Sequence, residues 1–322
     1  MWLPDEVLEH VREVTDAPDL SETKYRLIGP LGRGGMGAVY AATDVELERE
    51  VAVKVSFAAT TSDDGGARLR KEARILARLE HPGIVPVHDV GALPDGRVYY
   101  VMKRVRGERL DAWAENHREP RALLRLFVRI CEAVAFAHAA GVVHRDLKPE
   151  NVMVGSFGEA LVMDWGIARE LADAQAEAGD DGAVLGTRAY MAPEQARGEL
   201  SRVGPRADVY ALGAVLFFLL AGRPPPSSSP PSQRDAEEAL AGVAKVLASI
   251  CRKAMAEAPA DRYEGPTELA LEVGRYLDRA PVLAHPETVV ERIARFAARN
   301  AVVLSLLAAY VLLRVLLLAF AR

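Results

Sequence analysis

Two patterns of apolar residues divide the chain. From Tyr25 to about Tyr100, the short β-rich runs "YRLIGPL", "AVYAATD", "EVAVKVSF", "IVPVHDV" and "VYYVM" are separated by Gly, Asp or Pro and predict strands. One helix interrupts them: "ARLRKEARILARLE" sets Leu69, Ala73, Leu76 and Leu79 on one face and charges elsewhere. After Leu110 the period turns helical, with "ALLRLFVRICEAVAFAHAAG" and "DVYALGAVLFFLLAG" as long apolar segments. A small strand-rich lobe (residues 25–105) followed by a larger helical lobe (106–279) is an α+β plan, with a ligand cleft expected between the lobes.

The ends of the chain differ from this body. Residues 1–24 form an extension with a short amphipathic piece, "EVLEHVREV", and a turn at Pro18. The opening "MWLPDEVLEH" has acids where a signal peptide carries positive charge, so none is expected. At the other end, "AVVLSLLAAYVLLRVLLLAF" (301–320) is apolar apart from one Arg and two hydroxyls. At about 1.5 Å per residue, a helix of that length covers about 30 Å, the thickness of a bilayer core. Residues 280–300 before it are basic, with Arg292, Arg295 and Arg299, which favours a cytoplasmic N-terminal side. Arg314 opposes insertion by about 2.5–3.5 kcal/mol, but lies near enough to the apolar end to snorkel outward. A buried core helix is the alternative. A single span of the inner membrane, contacting the lipid bilayer through 301–320, is the expectation.

Composition narrows the classes. With 322 residues, 50% hydrophobic and 26% charged, the chain can bury one large core or two lobes. A net charge of −5 provides no basic field, so nucleic acid is not an expected partner. Cys131 and Cys251 both stand in apolar, helical contexts and read as reduced core residues in a reducing compartment. "RPPPSSSPPS" (223–232) has the composition of an extended loop.

Three clusters carry candidate chemistry. "LGRGGMGAVY" spaces Gly32, Gly34, Gly37 and Val39 as G-x-G-x-x-G-x-V, a loop whose N–H groups can approach phosphate oxygens. A dinucleotide fold would need a helix after the glycines, whereas strands are predicted on both sides; a plain hairpin turn is the bland reading. Lys54 in "VAVKV", flanked by Val53 and Val55, needs an acid or a phosphate as partner, and Glu72 on the following helix can hold it. "HRDLKPEN" packs a carboxylate (Asp146), an ammonium (Lys148) and an amide (Asn151) into one loop, and "VMDWGIA" adds a second carboxylate, Asp164. Two acids and an amide near a phosphate cradle suit a magnesium–nucleotide site.

Taken in order, the Gly-rich loop, "VAVK", the helix Glu, "HRDLKPEN", "DWG", "GTRAYMAPE", "DVYALG" and "DRY" resemble a eukaryotic-type (Hanks-type) protein kinase of the bacterial serine/threonine branch, some members of which are membrane-anchored. The resemblance covers roughly residues 25–279. It implies a two-lobed kinase fold and transfer of the γ-phosphoryl of ATP, with Mg2+ (or Mn2+ in its place), to Ser or Thr of protein substrates, including the chain itself. It implies that Gly32, Gly34 and Gly37 cover the phosphates and that Lys54, held by Glu72, binds the α- and β-phosphates. Asp146 would act as base, with Lys148 neutralising the transferred group and Thr187 contacting both; Asn151 and Asp164 would hold the metal. Leu31, Val39, Ala52, Met102 and Met153 would line the adenine slot, with the backbone of Lys103 to Val105 as hinge. Glu194 with Arg262, and Asp208 with the catalytic-loop backbone, would be braces. His81 and His138 read as structural. A second copy of the chain is a further partner to test. The rival readings are a nucleotide-binding scaffold without turnover and a small-molecule kinase. The complete polar set argues against the first, and the "APE" and "GT" motifs against the second.

The stretch "ELADAQAEAGDDGAVLGTRAY" (170–190) falls where such kinases carry an activation segment. In many relatives a phosphorylated residue there docks on the arginine before the catalytic Asp, here Arg145. Between Asp164 and Glu194 this chain has only two hydroxyls, Thr187 and Tyr190, while Glu177, Asp180 and Asp181 stand where a phosphosite is expected. Fixed acidity, pairing with Arg145 or Arg169, is expected to replace part of the phosphate's charge of about −1.5 to −2; a merely disordered acidic loop is the alternative. Trp165 replaces the usual Phe after the metal-binding Asp, and the short stretch from Arg223 to Ala248 points to reduced substrate docking there.

Overall fold

The computed structural model describes residues 17–34, 37–59, 65–165, 169–170, 188–226, 244–286 and 288–320, apart from 291, 293–295, 298 and 299. The small lobe is a five-stranded antiparallel sheet of β1 (Tyr25–Arg33), β2 (Gly37–Asp44), β3 (Arg49–Ala59), β4 (Val87–Ala92) and β5 (Arg97–Lys103), ordered β1-β2-β3-β5-β4. Strand period two assigns its faces. Val51, Val53, Val55, Tyr99 and Val101 join Leu20, Tyr25 and Tyr40 in one buried cluster. Ala52, Val98, Tyr100 and Met102 point the other way, into the main core with Leu69, Ala73 and Leu76 of helix α1 (Gly65–Ala77). Lys54 shares the second face. The valines beside it therefore do not surround it, and its partner comes from α1.

One predicted strand is shortened. "IVPVHDV" begins pairing only at Val87, because Pro86 has no N–H to give a ladder. Ile84 instead bridges to Val162 of the large lobe, and the Pro86 carbonyl accepts Lys103 N–H at 3.1 Å.

In the large lobe a three-stranded sheet, β6 (Gly107–Arg109), β8 (Val152–Gly155) and β9 (Ala160–Val162), lies along the cleft side of the helices. A short pair, β7 (Val142–Val143) and β10 (Arg169–Glu170), flanks the catalytic-loop sequence. Helix α2 (Leu110–Asn116) precedes α3 (Pro120–Ala139), which starts on Glu119, whose carboxylate accepts the N–H groups of Arg121 at 3.0 Å and Ala122 at 2.6 Å. After the short α4 (Pro193–Ala196), helix α5 (Pro205–Ala221) is apolar on all sides and buried without interruption from Ala207 to Phe217, which makes it the axis of the lobe. Helices α6 (Lys245–Ala254) and α7 (Pro266–Leu277) pack around it. Both cysteines are buried and reduced.

The packed body continues past 279. Val282 is buried, and the Glu272 carboxylate accepts the N–H groups of Leu283 at 3.2 Å and Ala284 at 2.8 Å. Residues 301–320 form the last helix, α8 (Ala301–Phe320), with its described side chains exposed. Among the described residues no helix is long and apolar enough to cross a membrane. Nor does Arg314 reach toward the C-terminal end: its Nε donates to Tyr310 Oη at 3.3 Å, because Tyr310 offers an oxygen one turn back on the same face.

Candidate active site

Lys54 occupies the cleft end of the inner sheet face. Its Nζ donates to Glu72 Oε1 at 2.8 Å and Oε2 at 3.1 Å, and to Asp164 Oδ1 at 2.9 Å. Glu72 also accepts Tyr100 Oη at 2.9 Å. Burial alone would lower the Lys54 pKa, but the charges of Glu72 and Asp164 outweigh it and leave the ammonium held above its ordinary value. Glu72 is pushed up by burial against the opposing pull of Lys54. At Asp164 burial is outweighed by Lys54, and its carboxyl sits below the usual range. The Asp164 side chain is 52% exposed, against 2% for Glu72, so Asp164 is the acid open to the cleft.

Below it, the loop from His144 to Asn151 is bonded to itself. Asp146 Oδ2 accepts Lys148 Nζ at 2.8 Å and Asn151 Nδ2 at 3.0 Å, while Asn151 Nδ2 also donates to the Asp146 carbonyl at 2.7 Å. His144 Nδ1 accepts the Asp146 N–H at 3.3 Å and Nε2 donates to Met163 O at 3.0 Å, which fixes the tautomer. Its ring centroid lies 4.5 Å from that of Trp165, which is fully buried. Arg145 and Asp164 take positive φ of 71° and 55°, rare for side-chain-bearing residues and held by this network.

Asp208 supplies the support from α5. Its carboxylate accepts the N–H groups of His144 and Arg145, each at 2.8 Å, and lies 2.7 Å from His138 Nε2. Burial would raise its pKa, but the bonds from His138 and the Arg145 N–H outweigh it and hold it low. Gln195 Nε2 donates to the Arg145 carbonyl at 2.7 Å from the other side. Farther down, Arg262 and Glu194 form a two-pronged pair at 2.7 and 2.8 Å. Backbone carbonyls of Ala256, Arg206 and Glu257 take the remaining guanidinium donors.

The glycines separate into two kinds. A Cβ on Gly37 would stand 2.2 Å from the Val55 carbonyl, so the close approach of β2 to β3 requires glycine there. Around Gly32 nothing lies within 4 Å, and Gly34 meets only the Gly37 carbonyl at 3.9 Å; both stand in open space. Of the apolar residues assigned to an adenine slot, Ala52 faces Met102 across β3 and β5, and Val39 and Val105 pack beside them. Leu31 stays 49% exposed and Met153 half-buried, both outside that packed cluster. Thr187, Asp180, Asp181 and Glu177 lie outside the described residues.

The donor set fits a magnesium–nucleotide complex. Among the described residues no cluster of three or more His, Cys, Asp or Glu is present. Mg2+ suits the pair Asp164 and Asn151, since it is held by one or two protein oxygens plus phosphate oxygens. Asp164 offers a half-exposed carboxylate, and with its Nδ2 bound to Asp146, Asn151 has its carbonyl oxygen for a cation.

Sequence reasoning missed Tyr100, Gln195 and the His138–Asp208 contact. None of the three had a readable signal; Tyr100 is the cross-strand neighbour of Lys54 only once the register of β3 and β5 is known.

Comparison with known proteins gives a consistent answer. Residues 25–269 match the protein kinase domain family. The serine/threonine-protein kinase PknB of Mycolicibacterium smegmatis is 37% identical over 298 residues, covering 87% of this chain and 47% of that protein. A probable serine/threonine-protein kinase of Streptomyces coelicolor is 38% identical, covering 80% of this chain and 41% of the relative. The chain thus spans less than half the length of these curated relatives. Among solved structures, the Mycobacterium tuberculosis PknI kinase domain superposes with a TM-score of 0.63 at 30% identity, covering 80% of this chain and 96% of that one.

Proposed function

The chain belongs to the protein kinase family, in its bacterial Hanks-type serine/threonine branch, and from that premise we propose that it phosphorylates Ser and Thr hydroxyls of proteins, its own included, using Mg–ATP. The observation that carries this reading is the Lys54 ammonium held between Glu72 and Asp164, next to a loop in which Asp146, Lys148 and Asn151 are bonded together.

When bound, Mg–ATP supplies the transferable phosphoryl group and part of the charge that offsets its oxygens. Asp164 and the Asn151 carbonyl would hold the ion, and Lys54 the α- and β-phosphate oxygens. Gly32 and Gly34 carry no side chain between the loop backbone and those oxygens, and the Gly34 N–H is itself bonded to the Gly37 carbonyl at 2.9 Å, which shapes the turn. Asp146 orients the acceptor hydroxyl and takes its proton, and Lys148, 2.8 Å from that carboxylate, draws charge from the group in transit. Ala52, Met102, Val39 and Val105, with Leu31 and Met153 at the rim, would receive the adenine. Thr187 is assigned to the acceptor side of Asp146 by its place in the motif. Every described polar member of the set is bonded within it, which disfavours an inactive scaffold.

The acidic residues Asp180 and Asp181 are proposed to supply fixed charge that lowers the need for priming phosphorylation. Replacing both with Asn and finding unprimed activity unchanged would contradict this. Residues 301–320 are proposed as a single tether to the inner membrane, with the kinase domain cytoplasmic. The near-uniformly apolar sequence of 301–320 and the arginines before it are what support this reading. Extraction of the full chain from membranes by alkaline carbonate would contradict it. The activity is tested by phosphate transfer from labelled Mg–ATP to a protein acceptor, lost in Asp164→Asn.

A further inference from the structure

We propose that Tyr100 is a positioning residue of this site: its hydroxyl fixes the Glu72 carboxylate that in turn holds Lys54. The inference rests on reading the site as a phosphoryl-transfer centre. Tyr100 on β5 stands directly across from Lys54 on β3, on the sheet face that meets α1. Its Oη donates to Glu72 Oε1 at 2.9 Å, the same oxygen that accepts Lys54 Nζ at 2.8 Å, while Oε2 accepts Lys54 at 3.1 Å. The Tyr100 ring lies 5.8 Å from Lys54 Nζ, so one side chain touches both members of the pair.

A second donor matters because Lys54 is shared. Asp164 pulls the ammonium from the other lobe at 2.9 Å. A Glu72 held by Lys54 alone is free to rotate whenever the ammonium shifts toward Asp164. The phenol is fixed to the central part of the sheet and holds the carboxylate independently of Lys54. Tyr100 and Glu72 are 1% and 2% exposed, so water is not at hand to replace the hydroxyl. Burial and the nearby Glu72 carboxylate push the phenol pKa well above its ordinary value, which keeps it a donor. The contact also ties α1 to the sheet from within the small lobe, because β3, β5 and α1 supply all three side chains.

The test uses the full chain in detergent as wild type, Tyr100→Phe, Glu72→Leu and the double variant. Steady-state constants are measured for Mg–ATP with dephosphorylated casein as acceptor, together with melting temperature and amide exchange over residues 65–77. Tyr100→Phe keeps the ring and removes the donor. The KM for ATP is expected to rise about tenfold, in keeping with one lost hydrogen bond to a charged group. The KM for casein should hold, while the melting temperature falls slightly and exchange in α1 quickens, because a buried donor to Glu72 is lost. In the Glu72→Leu background, which has no acceptor for the hydroxyl, the same change should add nothing further to the KM for ATP, because the hydroxyl acts through that carboxylate. An unchanged ATP KM with unchanged α1 exchange overturns the proposal, and so does a full additional rise in the Glu72→Leu background. If wild type transfers no phosphate, the phosphoryl-transfer reading fails, while the exchange comparison still decides whether the hydroxyl fixes α1.

Discussion

Lys54 of the small lobe and Asp164 of the large lobe are joined at 2.9 Å, so one ion pair ties the two halves of the cleft together. The same ammonium is bonded to Glu72, which is almost fully buried. Replacing Lys54 with Met therefore does two things. It removes the phosphate ligand, which should abolish transfer, and it leaves the Glu72 carboxylate buried with only Tyr100 as donor. Loss of one partner of a buried pair costs about 3–5 kcal/mol. Urea unfolding should show that loss, and a variant as stable as wild type would mean that the pair contributes little.

The glycine-rich loop gives a sharper contrast. Gly37→Ala drives a Cβ to 2.2 Å from the Val55 carbonyl, whereas Gly32→Ala meets nothing within 4 Å. The first should lower the melting temperature by several degrees, since overpacking costs about 1–3 kcal/mol. The second should leave melting unchanged and weaken only nucleotide binding. Thermal scans with and without Mg–ATP distinguish the two.

Arg262 and Glu194 meet with side-chain exposures of 0% and 1% and with every guanidinium donor used. Arg262→Met should cost about 3–5 kcal/mol, because Glu194 is left as an uncompensated buried charge. The double change Arg262→Met with Glu194→Leu should recover much of that stability. A denaturation cycle over the four proteins measures the coupling.

Asp208 predicts an acid limit. Its pKa is lower in the fold than the ordinary aspartate value of about 3.9. A lowered carboxyl contributes stability that is complete above the unfolded value and is lost as pH falls through the folded one. The stability difference between wild type and Asp208→Asn should therefore be constant at pH 5 and above and shrink below about pH 4. A difference that is constant down to pH 3 would exclude this origin.

Much of this molecule is legible in its sequence, and the parts that are not share a cause. Period two and period 3.6 reveal the lobes, the strands and α1, because those patterns follow from burial of one face. The motifs bring Lys54, Glu72, Asp146, Asn151 and Asp164 to notice because their chemistry is unusual in apolar runs. The Tyr100 hydroxyl could not be read, since a tyrosine in a β-rich run is an ordinary core residue until its partner across the cluster is known. Val53 and Val55 face away from Lys54, since neighbours in sequence lie on opposite faces of a strand, a point that their apolar character alone does not display. Gln195 reaches the catalytic loop from α4, and His138 reaches its brace Asp208 from α3, contacts that depend on tertiary packing. Gly37 is required by sheet packing against Val55, a need that the glycine spacing does not display.

The most direct measurement is phosphate incorporation from labelled Mg–ATP by the full chain, produced with a phosphatase so that it starts unmodified, beside Asp146→Asn. The account predicts immediate, linear transfer in the wild type and a fall of about 10²–10⁴ in the variant, the usual effect of removing a positioned base, with no change in melting temperature. Nucleotide binding without transfer in the wild type, or equal transfer by Asp146→Asn, would contradict it.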